Sequence, residues 1–529
     1  MKANYIDYSE TNSFSPAIIR YLENDPELSP FINFRADIEG FRNLINTKAN
    51  HCNRQILTEV LTEQYSRPGH SIHNSVSNNI DLLLKKSTYT VTTGHQLNLF
   101  TGPLYFIFKI VTAINLAKEL KANFPDKDFV PVYWMATEDH DFAEINHTYI
   151  AGKKIAWNIE TNGATGRIAT KEIANTLREY ISTLGVSDHA EHLSKLMQSA
   201  YAEKSNLADA TRFIVNSFFE EYGLVILDAD NRKLKSQFSD ITYRDIIEQN
   251  SFRNISKGSK ELEELGLETQ VNPREINFFY LNDNLRERIV FEDNRYTVLN
   301  SEISFTADEL KAEIKEYPER FSPNVVMRPL FQEVILPNLA YIGGAAEIVY
   351  WLQLKQNFDF YHVDFPILLL RNSAIITNKL TAKLSRLDLT LKNIFEDTED
   401  LKKRWVKDHT EHVLNLNDEL QVFDNIFENL KLRTHKIDPT LAPSSEAVKA
   451  RLHKAMKNLE TKLMKAEKRN FSDALVQIDS LKGKLFPRGG LQERTENFGL
   501  FYVKYGKEFI KELVENFKPL DLKFTILEE

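Results

Sequence analysis

The chain changes its hydrophobic rhythm within one segment, Thr88 to Leu120. "TYTVTTGHQ" alternates and is rich in β-branched and aromatic residues, which predicts a strand. Further on, Phe106, Ile110, Ala113, Ile114 and Ala117 recur at helical spacing, which predicts a helix with one buried face. A second apolar run, "DFVPVYWMAT", predicts a buried strand that ends directly on "EDHD". Strand, helix and strand in that order predict a βαβ unit with a right-handed crossover and parallel pairing.

The strand signature returns in "YGLVILDAD", which ends on Asp228 and Asp230, and in "FPILLLR". Between them, "SPNVVMRPLFQEVILPNLAYIGGAAEIVYWLQLK" reads as a strand ending near Arg328, then a new helix opened by Gly343-Gly344. The α/β character at 87–140 and 322–371 therefore belongs to two halves of one sheet. The expected core spans 87–375, with insertions at about 146–222 and 231–320. The first insertion starts with a small β unit, and the second carries hairpin strands at 276–304. Residues 1–86 read as a mostly helical segment packed on the core, with a polar patch "HSIHNSVSNN" near its end.

After about Ile375 the pattern changes. Leu380, Leu384, Leu387, Leu391 and Ile394 alternate steps of four and three, a heptad that predicts a coiled-coil arm over 376–480. Pro439 and Pro443 break it, and Val448, Leu452, Ala455 and Leu459 resume a second long helix. The predicted product is an antiparallel hairpin, with a homodimer through the arm expected. Residues 481–529 are expected to return to the core. Their segment "FPRGGLQERTENF" places Arg488, Gly489, Gly490, Gln492, Glu493, Arg494 and Asn497 late in the chain.

Composition narrows the choices. A chain of 529 residues exceeds one hydrophobic core, and 42% hydrophobic with 27% charged residues describes a globular protein. A formal net charge of −9 argues against a broad nucleic-acid surface but not against a local basic pocket. The most apolar region contains Lys109 and Pro103, so no membrane span is expected. The start "MKANYIDYSETNSFS" lacks a signal-peptide core, and the single cysteine, Cys52 beside His51, fits a reducing cytoplasm.

Three segments carry candidate chemistry. The loop "TTGHQLNLFTGP" has 2 of the chain's 18 glycines and joins a strand to a helix. Gly94, His95, Gln96, Thr101 and Gly102 are its candidate phosphate-binding residues, because helix N-termini present unpaired N–H groups. It has neither the lysine spacing of a P-loop nor the dinucleotide glycine pattern. "ATEDHDFAEINH" sets Glu138, Asp139, His140 and Asp141 at a strand's carboxyl end, where α/β sheets bind ligands. Asp139, His140 and Asp141 are candidate catalytic groups. Glu138 and Asn146 are candidate substrate contacts, and a cap on "FAEIN" is the structural alternative for Asp141. Arg328, Gln332, Gly343, Gly344 and Glu347 complete the substrate-binding set, with Arg328 suited to a carboxylate or phosphate. No spacing matches a zinc motif, so no metal ligands are assigned.

The stretches "TGHQLNLFTGPLYFIFK", "PVYWMATEDHDFAEINH", "GLVILDAD", "SPNVVMRPLFQEVILPNLAYIGGAAEIVYW" and "FPRGGLQERTENF" together resemble the BshC family of bacillithiol biosynthesis. The family loop more often reads Gly-Gln-Gln, so Gly94 and Gln96 match and His95 departs. The resemblance implies a Rossmann-like core related to class I aminoacyl-tRNA synthetases, connecting insertions, and a C-terminal helical coiled coil that supports a homodimer. It also implies a ligase that adds cysteine to glucosaminyl malate. Forming an amide in water requires an activated carboxylate, so ATP is the expected co-substrate, with Mg²⁺ as its companion ion. Two other readings stay open: a metal-dependent hydrolase using Glu138–Asp141, and a non-catalytic nucleotide-binding scaffold.

Overall fold

The computed structural model describes residues 1–49, 52–66 and 72–529. His51, and His70 and Ser71 of the polar patch, lie outside the described residues. Cys52 is partly buried, and burial pushes its thiol above the usual range. The chain forms two compact units. The larger comprises Met1–Ser9, Ser13–Thr377 and Gly490–Glu529, and the smaller comprises Glu10–Asn12 and Asn378–Gly489.

The larger unit is built on a parallel five-stranded sheet. Its strands are β1 (Thr88–His95), β2 (Asp128–Met135), β3 (Val225–Asp228), β4 (Asn338–Gly343) and β5 (Ile367–Leu370), in the order β5-β4-β1-β2-β3. β1 pairs with β2 from Thr88↔Asp128 to His95↔Met135, and with β4 from Thr90↔Asn338 to Thr93↔Ile342. All eight residues of β1 except His95 are buried, as expected of a central strand covered on both faces. The two α/β halves complete one sheet, and its order is that of a Rossmann-like core.

Helix α1 (Tyr105–Asn123) makes the crossover from β1 to β2. Ala113, Leu116, Ala117 and Leu120 pack with Tyr89, Val91, Ile342 and Leu369 in the core. The helix is buried around most of its circumference from Phe106 to Ala117, not on one face alone. Its outer side is covered by the C-terminal segment. Asn115 Nδ2 donates to the carbonyls of Val514 and Phe517, and Phe108 meets Phe517 edge-on. That cover lies some four hundred residues away in sequence, beyond the reach of local periodicity.

Among the described residues there are three further sheets, the smallest a two-stranded hairpin of His147–Ile150 and Lys153–Ala156. An antiparallel sheet holds Phe278–Asn282, Leu285–Glu292, Arg295–Val298, Ser304–Phe305 and Phe321–Pro323. A second joins the chain ends, with Lys2–Asp7 antiparallel to Lys523–Glu528 and Ala374–Thr377 parallel to it. The opening strand is the exception in the mostly helical segment 1–86, and among the described residues it pairs with the last strand. Arg328 also departs from its expected place: it opens the helix α2 (Arg328–Ile335) instead of ending a strand. Pro329 fits there because a first-turn residue has no intrahelical use for an N–H. Gly344 does cap helix α3 (Ala345–Leu352), as the paired glycines suggest.

In the smaller unit the heptad leucines do not form one rod. Leu380–Arg386 is a short helix, followed by a 3-10 turn at Lys392–Phe395. Leu380, Leu384, Leu387 and Ile394 are buried, and Trp405 Nε1 donates to the Leu387 carbonyl. The long hairpin lies further on, in α4 (Asn417–Ile437) and α5 (Ala442–Asn470). The ion pairs His453–Asp424, Lys449–Glu428 and Lys431–Glu446 count up one helix and down the other, which fixes the antiparallel sense. Pro439 and Pro443 occupy its turn and first helical positions, as the break between periodic runs predicts. Among the described residues, no helix is long and apolar enough to cross a membrane.

Candidate active site in the sheet crevice

β1 and β4 are neighbours whose following connections leave in opposite senses, so their carboxyl ends form the topological switch point of the sheet. A cavity of about 900 Å³ opens there. Gly94, His95 and Gln96 reach it from β1, and Met135 to His140 reach it from β2. Gly344 to Glu347 enter from the first turn of α3, Arg328 from the head of α2, and Arg371 from the end of β5.

The floor is a paired polar network. Lys109, in the second turn of apolar α1, donates to the Gly94 carbonyl at 2.9 Å and forms an ion pair with Glu347. Glu347 also accepts from Tyr341 Oη at 2.8 Å and from the Gly344 N–H at 2.7 Å. Burial alone would raise the Glu347 carboxyl, but Lys109 holds it below the ordinary range. Arg371 pairs with Glu493 at 2.7 Å and lies over the Tyr105 ring. Arg328 donates to Gln332 Oε1 at 3.0 Å and lies near the Trp134 and Tyr341 rings. Rigid partners of this kind hold the guanidinium groups in place before a ligand arrives.

The acidic run divides instead of converging. Glu138 pairs with Lys235, which also holds Asp230 at 3.0 Å. Asp139 accepts from Gln96 Nε2 at 2.5 Å and from the His140 N–H at 2.7 Å. His140 Nδ1 faces Arg286 Nη1 at 2.6 Å. Arginine can only donate, so Nδ1 is the acceptor and the neutral ring carries its proton on Nε2. Burial and the Arg286 charge also lower the His140 pKa. The neutral histidine is thus poised as a hydrogen-bond donor through Nε2. Because these side chains point to separate partners, the shared metal site of the hydrolase reading is not formed. Among the described residues, no three His, Cys, Asp or Glu side chains form a metal-binding group.

Among the described residues, seven cationic side chains line the cavity against three carboxylates. The surplus survives the pairing of Lys109 with Glu347, and it leaves the crevice electropositive. This positive pocket sits in a chain whose formal net charge is −9.

Sequence comparison meets the geometry at this point. Residues 1–372 match the family described as "Bacillithiol biosynthesis BshC, N-terminal Rossmann-like domain", and residues 374–529 match "Bacillithiol biosynthesis BshC, C-terminal coiled-coil domain". The chain belongs to the BshC family. Relatives named "Putative cysteine ligase BshC" include those of Flavobacterium johnsoniae, 43% identical with 100% of both chains covered, and Flavobacterium psychrophilum, 44% identical over 100% of this chain and 99% of that one. The relative from Christiangramia forsetii is 42% identical over 100% of this chain and 99% of its own. A solved chain titled as a putative arginyl-tRNA synthetase from Campylobacter jejuni aligns over 88% of this chain and 98% of its own, at 10% identity. Its TM-score of 0.21 is too low to bear on the fold.

In this BshC chain the crevice gathers Gly94, His95, Gln96, Glu138, Asp139, His140, Arg328, Gly344 and Glu347. It does not gather Thr101, Gly102, Asp141, Asn146, Gln332 or Gly343. Thr101 and Gly102 belong to a turn wrapped around Asn497, whose Nδ2 donates to the carbonyls of Phe100 and Gly102 at 2.8 and 2.9 Å. The next N–H, from Leu104, is taken by the Glu496 carbonyl, so this turn offers no phosphate cradle. Gly102 is required there for packing, since its φ is +64° and a Cβ would sit 2.5 Å from Asn98 Cβ. Asp141 caps Phe142–Ile145 through the Glu144 N–H at 3.2 Å, the structural alternative named above. Asn146 ends that same short helix. Gln332 is fully buried behind Arg328, and Gly343 lies in the sheet.

His95 lines the cavity but is no cationic phosphate ligand. Burial, and then the Lys109 charge, push its pKa down to about 3. The neutral ring stacks on Phe106 with centroids 5.2 Å apart. Several residues of the cavity were given no site role from the sequence, among them Lys109, Tyr341, Arg371 and the hairpin-sheet arginines Arg286 and Arg288. A lysine inside an apolar helical stripe and an arginine directly after "FPILLL" were the available signals. Nothing local distinguishes Arg286 and Arg288 from surface hairpin arginines.

Proposed function

We propose that this protein is an ATP-dependent cysteine ligase that joins cysteine to the amine of glucosaminyl malate, completing bacillithiol. The observation that carries the reading is the cationic crevice at the switch point of a BshC-family Rossmann-like sheet. Its surplus charge suits the combined anions of ATP and a malyl group.

Each residue has a part in that reaction. Gly94 and Gln96 border the nucleotide phosphates, with Arg371 and Arg494 supplying charge. Any Mg²⁺ enters with ATP, since the protein's own carboxylates are engaged with cations and amides. Arg328 receives the malyl carboxylate, held in place by Gln332. Glu138 faces the cysteine ammonium. ATP activates the cysteine carboxylate by adenylyl or phosphoryl transfer. The acceptor amine then attacks that carbonyl carbon: the C–N bond forms, the bond to the phosphate-bearing leaving group breaks, and the amine proton passes to Asp139. His140 donates from Nε2 to the developing oxyanion. The arm supports a homodimer through the apolar positions that α4 and α5 leave exposed, such as Val422, Ile426 and Val448. Buried Leu384 is not among them. Cytoplasmic operation follows from the nucleotide and thiol substrates.

The test is incubation of the purified protein with cysteine, ATP and glucosaminyl malate, followed by mass spectrometry. The expected product is the cysteinyl conjugate, absent when ATP is omitted. Release of AMP and pyrophosphate assigns adenylation, and release of ADP and phosphate assigns an acyl phosphate. No conjugate from folded protein with all three substrates overturns the ligase reading, and product without ATP overturns its ATP dependence.

A further inference from the structure

A second cavity lies away from the crevice, beside the segments that lead into the amino ends of β4 and β5. It has a volume of about 320 Å³. Glu333, from the last turns of α2, lines it together with Lys48 and Asp364, against an apolar wall that includes Ile241, Leu336 and Val363. Glu333 is 5% exposed. Its Oε1 is fully engaged, accepting from Gln332 Nε2 at 2.9 Å and Asn338 Nδ2 at 2.7 Å. Its Oε2 is buried and has no hydrogen-bond partner among the described residues. A buried carboxylate oxygen with no donor is a costly arrangement that folded proteins rarely leave in place.

The surroundings define what would satisfy it. In the ionised carboxylate, Oε2 calls for a donor. A second acid, Asp364, shares the rim with Lys48, the two 3.9 Å apart, so both signs of charge are presented at the cavity. The remaining wall is mostly aliphatic, from Ile241, Val334, Leu336 and Val363, with Cys52, Tyr361 and His362 completing it. A volume of about 320 Å³ accepts a molecule the size of a branched aliphatic amino acid but excludes a nucleotide. We infer that this cavity is a second small-molecule site that takes a zwitterionic α-amino acid with an aliphatic side chain, its ammonium on Glu333 and its carboxylate at Lys48. Burial pushes the empty Glu333 carboxyl up to about 7, and a bound ammonium would restore its ionised form. The assignment does not rest on the ligase reading, and it uses none of the crevice residues.

Calorimetric titration of the full chain with L-valine, isobutylamine and isobutyrate tests it. Valine is expected to bind more tightly than either single-charge analogue by tenfold or more. Glu333→Gln, which keeps the shape and the contact to Asn338, is expected to weaken valine at least tenfold. Ile241→Trp, which fills the wall without touching Glu333, is expected to abolish valine binding and leave ATP binding intact. Valine binding unchanged in both variants places the amino acid elsewhere and overturns the proposal. Equal affinities for the three probes, or no valine binding at millimolar concentration, overturn it as well.

Discussion

Gly94 and Gly102 stand eight positions apart in one loop, and the sequence presents them as two halves of a single cradle. The structure gives them different work. Gly94 ends β1 inside the crevice, where a Cβ would meet only ordinary contacts, 3.5 Å from Tyr341 Oη and 3.7 Å from Arg328 Nη1. Gly102 sits in a left-handed turn clamped by Asn497, with no room for a Cβ. One glycine borders the open cavity, and the other leaves room for the protein's own Asn98. The difference is imposed from Asn497, nearly four hundred residues downstream, which is why a local motif cannot express it.

The largest effects should fall on the clamp. Asn497→Ala strips the donor from two buried carbonyls and the acceptor from Tyr180 Oη and the Gly499 N–H. Each orphaned buried group costs about 1–3 kcal/mol, so a loss of roughly 4 kcal/mol or more is expected in chemical denaturation. A loss below about 1 kcal/mol would mean the turn is held by something else. Gly102→Ala comes next, with about 1–3 kcal/mol of destabilisation from its positive φ and the Asn98 contact. Its folded fraction should ligate at the wild-type rate, a point that a stability-corrected assay checks.

On the ligand side, Gly94→Val should leave the melting temperature within a degree or two while costing about a hundredfold in conjugate formation. A loss of stability matching that of Gly102→Ala would erase the distinction between the two glycines. The smallest effect is expected for Asp141→Ala. Removing this cap should cost about 1 kcal/mol of stability and leave turnover within threefold, by comparison of kcat/KM. A hundredfold loss there would return Asp141 to the reacting centre.

Much of the fold was legible in the sequence because the central strands are runs of β-branched, aromatic or aliphatic residues that give way to Gly, acidic or Arg positions. β1, α1, β2 and β3 appear where the period changes, and the proline break marks the turn between α4 and α5. The terminal strand Lys2–Asp7 was not legible, since its partner is at the other end of the chain. The heptad at 380–394 misled for a related reason. Leu380, Leu384 and Leu387 satisfy the spacing of a rod while being buried, in and directly after one short helix. In the site, residues at strand ends were readable from position alone: Gly94, Glu138, Asp139, Gly344 and Glu347. Lys109, Arg371 and the hairpin arginines become site residues through packing between distant segments, which hydrophobic period does not encode.

The central claim is that the Gly94 end of the loop borders the nucleotide and the Gly102 end does not. Equilibrium titration of ATP into wild-type, Gly94→Val and Gly102→Ala protein, at a temperature where all three are folded, tests it most directly. The account predicts at least a tenfold loss of affinity for Gly94→Val and wild-type affinity for Gly102→Ala. Unchanged affinity in Gly94→Val, or a tenfold loss in Gly102→Ala, would contradict it.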